Sequence, residues 1–218
     1  MAMRRLYCRL LQPIALWCLL GAGAAQAASG PSSACTRPSG QVERQICADP
    51  ALVARDRRLA QVYQAALAQA RGAPARRLMA DQRGWVKGRN DCWKADGQAT
   101  WITASWTVDT VAACIDAQYR LRTSELQAVW RLEPPVTTRY ICQNQPANEV
   151  VVNLFATDPP TLRLERGDRT ATLWRVGDEA GGHYEGQNVD MVLQTGALRL
   201  SWLDVGTGKT EVIDCRTR

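Results

Sequence analysis

Two hydrophobic periods divide the chain. From Asp49 to about residue 131 the apolar positions return every three or four residues, and beyond Pro134-Pro135 they alternate. Asp49-Pro50 reads as an N-cap with proline at the first helical position. Leu52, Leu59, Val62, Tyr63, Ala66 and Leu67 then mark one face of a helix that Gly72 and Pro74 end. A second helix is predicted over roughly 75–93, with Leu78, Gln82, Trp85 and Arg89 on one side. A third is predicted over roughly 108–131, its stripe drawn by Val108, Val111, Ala112, Ile115, Tyr119, Leu126 and Trp130. A short helical turn around Val42–Cys47 precedes them. Short connections between long helices favour antiparallel neighbours, hence a small helical bundle.

The alternating part reads as strands. Val150-Val151-Val152-x-Leu154-Phe155, Leu162-x-Leu164, Ala171-x-Leu173-x-Arg175, Val189-x-Met191-x-Leu193 and Leu198-x-Leu200-x-Trp202 are separated by turn residues such as Arg166-Gly167-Asp168, Thr195-Gly196 and Gly206-Thr207-Gly208. About eight short strands, each with one apolar face, suit a small antiparallel β-barrel, which leaves little open edge. The expected fold is therefore α+β in two domains, with residues 28–132 helical, a linker over 133–137, and a barrel over 138–218.

The first 27 residues change the picture, because they read as a removable export signal. Arg4, Arg5 and Arg9 precede an apolar stretch from Leu10 to Ala25, and Ala25-Gln26-Ala27 is a small-x-small cleavage site. The expected product is periplasmic or secreted after cleavage near Ala27, with no remaining membrane span. Six cysteines then lie in an oxidising compartment and suit disulfides better than nucleophilic or metal-ligating duty. Cys35, Cys47, Cys92 and Cys114 admit three pairings, of which the local pairs Cys35–Cys47 and Cys92–Cys114 are the expected ones. Cys142 and Cys215 bracket the strands and would join the barrel's ends.

Charge narrows the partners. Without the three signal arginines the chain carries 24 basic against 21 acidic residues, which is no nucleic-acid balance. It is unevenly shared: residues 28–135 hold 15 Lys/Arg against 10 Asp/Glu, and residues 136–218 hold 9 against 11.

An ordered series of motifs in the helical part is more specific. Glu43-x-x-Ile46-Cys47, Asp49-Pro50-x-Leu52, Asp56-x-x-Leu59-x-x-x-Tyr63, Gln82-Arg83-x-Trp85, Arg89-x-x-Cys92, Cys114-Ile115 and Tyr119-x-x-Arg122 follow one another. Over about 35–126 this resembles the N-terminal domain named after the mycobacterial lysozyme inhibitor LprI. Taken as residues alone, Leu52, Leu59, Trp85 and Ile115 are core positions. Asp56, Gln82 and Arg89 suit a buried polar set tying the helices together, since buried charge requires partners.

Residues of about 138–216 show a second resemblance. Tyr140-x-Cys142, Gly181-x-x-Tyr184-Glu185 and the terminal Cys215 look like the membrane-bound or periplasmic inhibitors of C-type lysozyme, an eight-stranded barrel family (MliC-like). In that family a Ser-Gly-x-x-Tyr loop and a Lys-Gly loop enter the lysozyme cleft, where two carboxyl groups flank the scissile bond. A hydroxyl and an ammonium there would make charge-assisted hydrogen bonds. The serine position is Ala180 here, followed by Gly181 and Tyr184, and the lysine position is Thr195, followed by Gly196. Neither inhibitory side chain carries over. His183, the single histidine, and Arg199 stand nearby as candidates to replace them.

Other chemistry falls away. One histidine excludes multi-histidine zinc sites and argues against a Ser-His-Asp triad, so no catalytic residue, metal or cofactor is expected. Gly206-Thr207-Gly208-Lys209-Thr210 imitates the tail of a phosphate loop, but its first glycine would fall at Leu203 and no helix follows. Trp93, Trp101 and Trp106 could stack on sugars, though burial over a small core is the expectation. The two resemblances together imply an exported binding protein, not an enzyme, whose partner is a C-type lysozyme or other muramidase. The alternative is a cell-envelope module that binds peptidoglycan fragments or an envelope protein without inhibiting.

Overall fold

The computed structural model describes residues 35, 37–103, 105–177 and 182–217. The export-signal reading of residues 1–27 lies outside them. Four α-helices come first: α1 (Gln41–Ala48), α2 (Pro50–Gln69), α3 (Gly72–Asn90) and α4 (Val111–Val129). Between α3 and α4 lie a 3-10 helix, Asp91–Ala95, and a two-stranded hairpin, β1 (Thr100–Trp101) with β2 (Thr107–Val108). Eight strands follow: β3 (Val136–Cys142), β4 (Glu149–Phe155), β5 (Thr161–Arg166), β6 (Arg169–Val176), β7 (His183–Gly186), β8 (Val189–Gln194), β9 (Ala197–Asp204) and β10 (Lys209–Thr217). They form a closed antiparallel barrel in which β10 pairs with both β9 and β3.

Local chemistry accounts for the helix boundaries. The Asp49 carboxylate accepts from the Ala51 backbone N–H, and Pro50 occupies the first turn of α2, where its missing N–H costs nothing. Gly72 opens α3 rather than ending α2: α2 stops at Gln69 and Ala70 is extended. The Thr110 hydroxyl caps α4 at Ala113. At its other end Leu132 N–H reaches the Gln127 carbonyl at 2.9 Å and Arg131 N–H the Ala128 carbonyl at 3.3 Å, a Schellman closure. Arg131, at φ 47°, takes the left-handed position that glycine usually fills.

α4 is the element on which both parts rest. Cys114, Ile115, Tyr119 and Leu126 face α1 and α2 in the helical core with Ile46, Leu52, Leu59 and Leu78. Its opposite face meets the outer surface of β5 and β6, burying Thr123, Ser124 and Gln127. There Trp174 donates through Nε1 to Ser124 Oγ at 3.1 Å, and Arg131 pairs with Glu165 at 3.0 Å. Arg120 meets Asp158 at 2.5 Å just below. Helices and barrel thus lie in one compact unit.

The barrel interior is filled by alternate residues, among them Tyr140, Val150, Val152, Leu162, Leu164, Leu173, Met191, Leu200 and Ile213. Gly186 is required where β6 and β7 converge, because a Cβ there would lie 2.4 Å from the Thr172 carbonyl. Disulfides join Cys35–Cys47, Cys92–Cys114 and Cys142–Cys215. Among the described residues no helix is long and apolar enough to cross a membrane.

Candidate functional site

The helical motif residues converge on one groove of about 410 Å³ between α1, α2 and α3, walled by Glu43, Asp56, Tyr63, Gln82, Trp85 and Arg89. Its floor is a buried polar relay. Arg89 donates through Nη1 to the Tyr119 hydroxyl at 2.8 Å, and that hydroxyl donates to Asp56 Oδ1 at 2.8 Å. Arg89 Nη2 lies 3.6 Å from Glu43. Glu43 accepts from the Ser39 backbone N–H at 2.6 Å and from its hydroxyl at 2.8 Å. The Ser39 bonds, backbone first, hold its carboxyl below the ordinary range. The Arg89 guanidinium sits 5.7 Å from the Trp85 ring centroid, and Trp85 meets Tyr119 edge-on at 5.4 Å. Burial pushes the Tyr119 hydroxyl pKa well up, so it stays protonated and able to donate. Arg122 stands beside this set and donates to Gln82 at 3.0 Å.

Spacing explains this convergence. Asp56, Leu59 and Tyr63 recur at three and four residues on α2, as do Gln82, Trp85 and Arg89 on α3, so each trio occupies one helical face. The arrangement gathers charges and aromatic edges along one groove.

The second candidate site is the end of the barrel that carries the β6–β7 and β8–β9 connections. Ala180 and Gly181 lie outside the described residues. The neighbouring Gly182 carbonyl accepts from Leu193 N–H at 2.9 Å, which brings the base of that loop beside the Thr195–Gly196 turn. Thr195 and Gly196 are exposed, and Gly196, at φ 72°, is tied to Thr217 by its carbonyl. Tyr184 does not project from this end; it points into the barrel core and anchors the strand. His183 faces outward, with Nε2 2.5 Å from Asp190 Oδ2 and 3.9 Å from Glu185 Oε1. Arg199 pairs with Asp214 at 3.3 Å on the exposed surface.

Glu185 is the least expected member. The residue is 5% exposed, and its carboxylate accepts from the Ser105 backbone N–H at 3.0 Å and also from the Ser105 hydroxyl, so Ser105 of the helical part is docked on the barrel. Burial alone would raise its pKa, but bonds from Ser105 and Thr103 together outweigh burial and hold it below the ordinary range. Ser105 and Glu185 stand 80 positions apart, and no local pattern announces the pair.

The tryptophan expectation needs correction. Trp93 and Trp101 are not packed over the core: they are 53% and 70% exposed. Cys92 and Ala95 are the residues that the 3-10 helix buries, and Thr100 is the more buried member of β1, which leaves these rings in solvent. Trp106 is half-buried, with Arg120 5.7 Å from its ring centroid.

Comparison with known proteins agrees with the helical motif. The chain is 29% identical over 179 residues to proteins named "Lipoprotein LprI" from Mycobacterium tuberculosis (strain ATCC 25618 / H37Rv) and Mycobacterium bovis (strain ATCC BAA-935 / AF2122/97), covering 80% of this chain and 81% of theirs. A stretch of that extent runs beyond the helices into the barrel. No solved structure matches the chain. Over residues 32–126, where Glu43, Asp56, Gln82, Trp85 and Arg89 build the groove, the sequence matches the family described as "Lysozyme inhibitor LprI".

Proposed function

We propose that this chain is an exported, non-enzymatic binding protein of the lysozyme-inhibitor type, acting in the cell envelope or just outside it. The observation that carries the reading is the LprI match over residues 32–126, whose motif residues assemble one groove. The relatives named as lipoproteins support export. In this reading residues 28–132 and 138–218 are two domains joined through 133–137, with residues 1–27 removed. The barrel would occlude the cleft of a C-type lysozyme with the connection through Ala180 and Gly181 and the exposed Thr195–Gly196 turn. Tyr184 and Glu185, turned into the core and under Ser105, fix the strand that follows this connection. A barrel with more acidic than basic residues suits approach to a basic enzyme.

Exposure of Trp93 and Trp101 favours a second reading, an envelope module that stacks on saccharide rings. One experiment separates them: residues 28–218 are titrated against a C-type lysozyme while cell-wall lysis is followed. Stoichiometric loss of lysis supports inhibition, and unchanged lysis with folded, oxidised protein refutes it. Thr195→Trp should abolish inhibition if the barrel end makes the contact, and Gln64→Trp, at the exposed rim of the helical groove, if that groove does.

A further inference from the structure

Asp190 and Glu185 lie directly opposite each other across the β7–β8 ladder, and His183 stands two residues from Glu185 on the same outward face. One imidazole nitrogen and two carboxylate oxygens therefore gather within 4.8 Å of one another. Like charges directly opposite on paired strands are unfavourable. His183 Nε2 lies 2.5 Å from Asp190 but 3.9 Å from Glu185. It is within hydrogen-bond reach of only one of the two facing carboxylates.

From this geometry we propose that His183, Glu185 and Asp190 bind one zinc ion through Nε2, with the imidazole proton on Nδ1, and through one oxygen of each carboxylate, whose two negative charges the ion balances. Zinc accepts nitrogen and carboxylate oxygen at about 2.0–2.2 Å, which places tetrahedral ligands roughly 3.3 Å apart. The Nε2 distances of 2.5 Å to Asp190 and 3.9 Å to Glu185 bracket that spacing. The strands that carry the three ligands are fixed by the barrel ladder. The Ser105 hydroxyl and backbone N–H already orient the Glu185 carboxylate, as outer partners do in zinc sites. Three protein ligands leave a fourth position for water. Calcium, which requires six to eight oxygens, is a poor match, and magnesium holds its water too firmly.

The site lies immediately after Gly182, so the bound ion would fix the base of the β6–β7 connection and, through Ser105, the docking of the helical part. The proposal does not depend on lysozyme inhibition. The test uses tag-free residues 28–218 with disulfides intact, because an added histidine tag would itself take zinc. Calorimetric titration with zinc should give one ion per chain. The imidazole resonances of the single histidine, His183, should shift to saturation at the same stoichiometry. His183→Gln and Asp190→Asn, both at outward positions, should each weaken binding at least tenfold. Millimolar magnesium or calcium should not compete. Unmoved imidazole resonances in the unaltered protein, or zinc affinity in both variants equal to that of the unaltered protein, would overturn the site.

Discussion

Tyr119→Phe removes a single oxygen from the floor of the helical groove and should cost far more than a surface hydroxyl. That oxygen both accepts from Arg89 and donates to Asp56, each at 2.8 Å. Both charged partners are buried, at 3% and 5% exposure, so water cannot freely take its place. A hydrogen bond to a charged group contributes about 1.5–3 kcal/mol, and two are lost here. Arg89 keeps Glu43 and Asn90, and the phenyl ring keeps the edge contact with Trp85. We therefore expect a loss of about 3 kcal/mol, the lower end of the doubled figure. In urea, with a slope of roughly 2–3 kcal/mol/M, the midpoint should fall by about 1 M with little change in slope. Tyr63→Phe, on the groove wall, is the matched control and should stay within about 0.5 kcal/mol. A loss below about 1 kcal/mol for Tyr119→Phe would show that the relay is not what holds Asp56 and Arg89 in place.

Three further outcomes follow from contacts elsewhere. Glu185 is held below the ordinary carboxylate range when folded, so its contribution is complete above about pH 4.3 and is lost as pH falls through its lower folded value. Ser105→Ala should therefore lower the melting temperature by a constant amount at neutral pH, and the gap from the unaltered protein should close below about pH 4. Replacing Cys142 and Cys215 together by alanine opens a loop of sequence separation 73 and should cost about 4 kcal/mol in the chain-entropy account, measured by urea denaturation. Asp49→Ala removes the cap of α2 and should cost about 1 kcal/mol by the same assay, with helical circular dichroism almost unchanged.

The elements most legible in the sequence were those specified locally. Asp49-Pro50 announced the start of α2, and the alternation after Pro135 announced the strands, because capping and pleating act within a few residues. Asp56 and Arg89 were legible too, since charged residues on an apolar helical face need partners, whereas Gln82 stays half-buried and bonds Arg122 instead. The second buried face of α4 was not. Thr123, Ser124 and Gln127 are polar and lie off the apolar stripe, yet β5 and β6 cover them. Their burial depends on where the barrel docks, which no periodicity within α4 encodes. The same holds for Ser105 and Glu185. The exposed Trp93 and Trp101 misled for the converse reason: size and apolarity predict burial on average, but a short hairpin has two faces and only one can pack.

Closure of the barrel by β10 has a consequence in time. Cys35–Cys47 and Cys92–Cys114 span 12 and 22 residues, so their partners emerge close together from any machinery that delivers the chain N-terminus first. Cys142 must wait for residues 209–217, which bring its sulfur partner and the strand that seals β3 in one step. During that interval β3 presents an unpaired edge and a free thiol beside six other strands, β4 to β9. The interval is when wrong disulfides and edge-to-edge aggregation compete with folding. A chaperone or disulfide isomerase acting on this protein would find its work concentrated between delivery of β3 and delivery of β10.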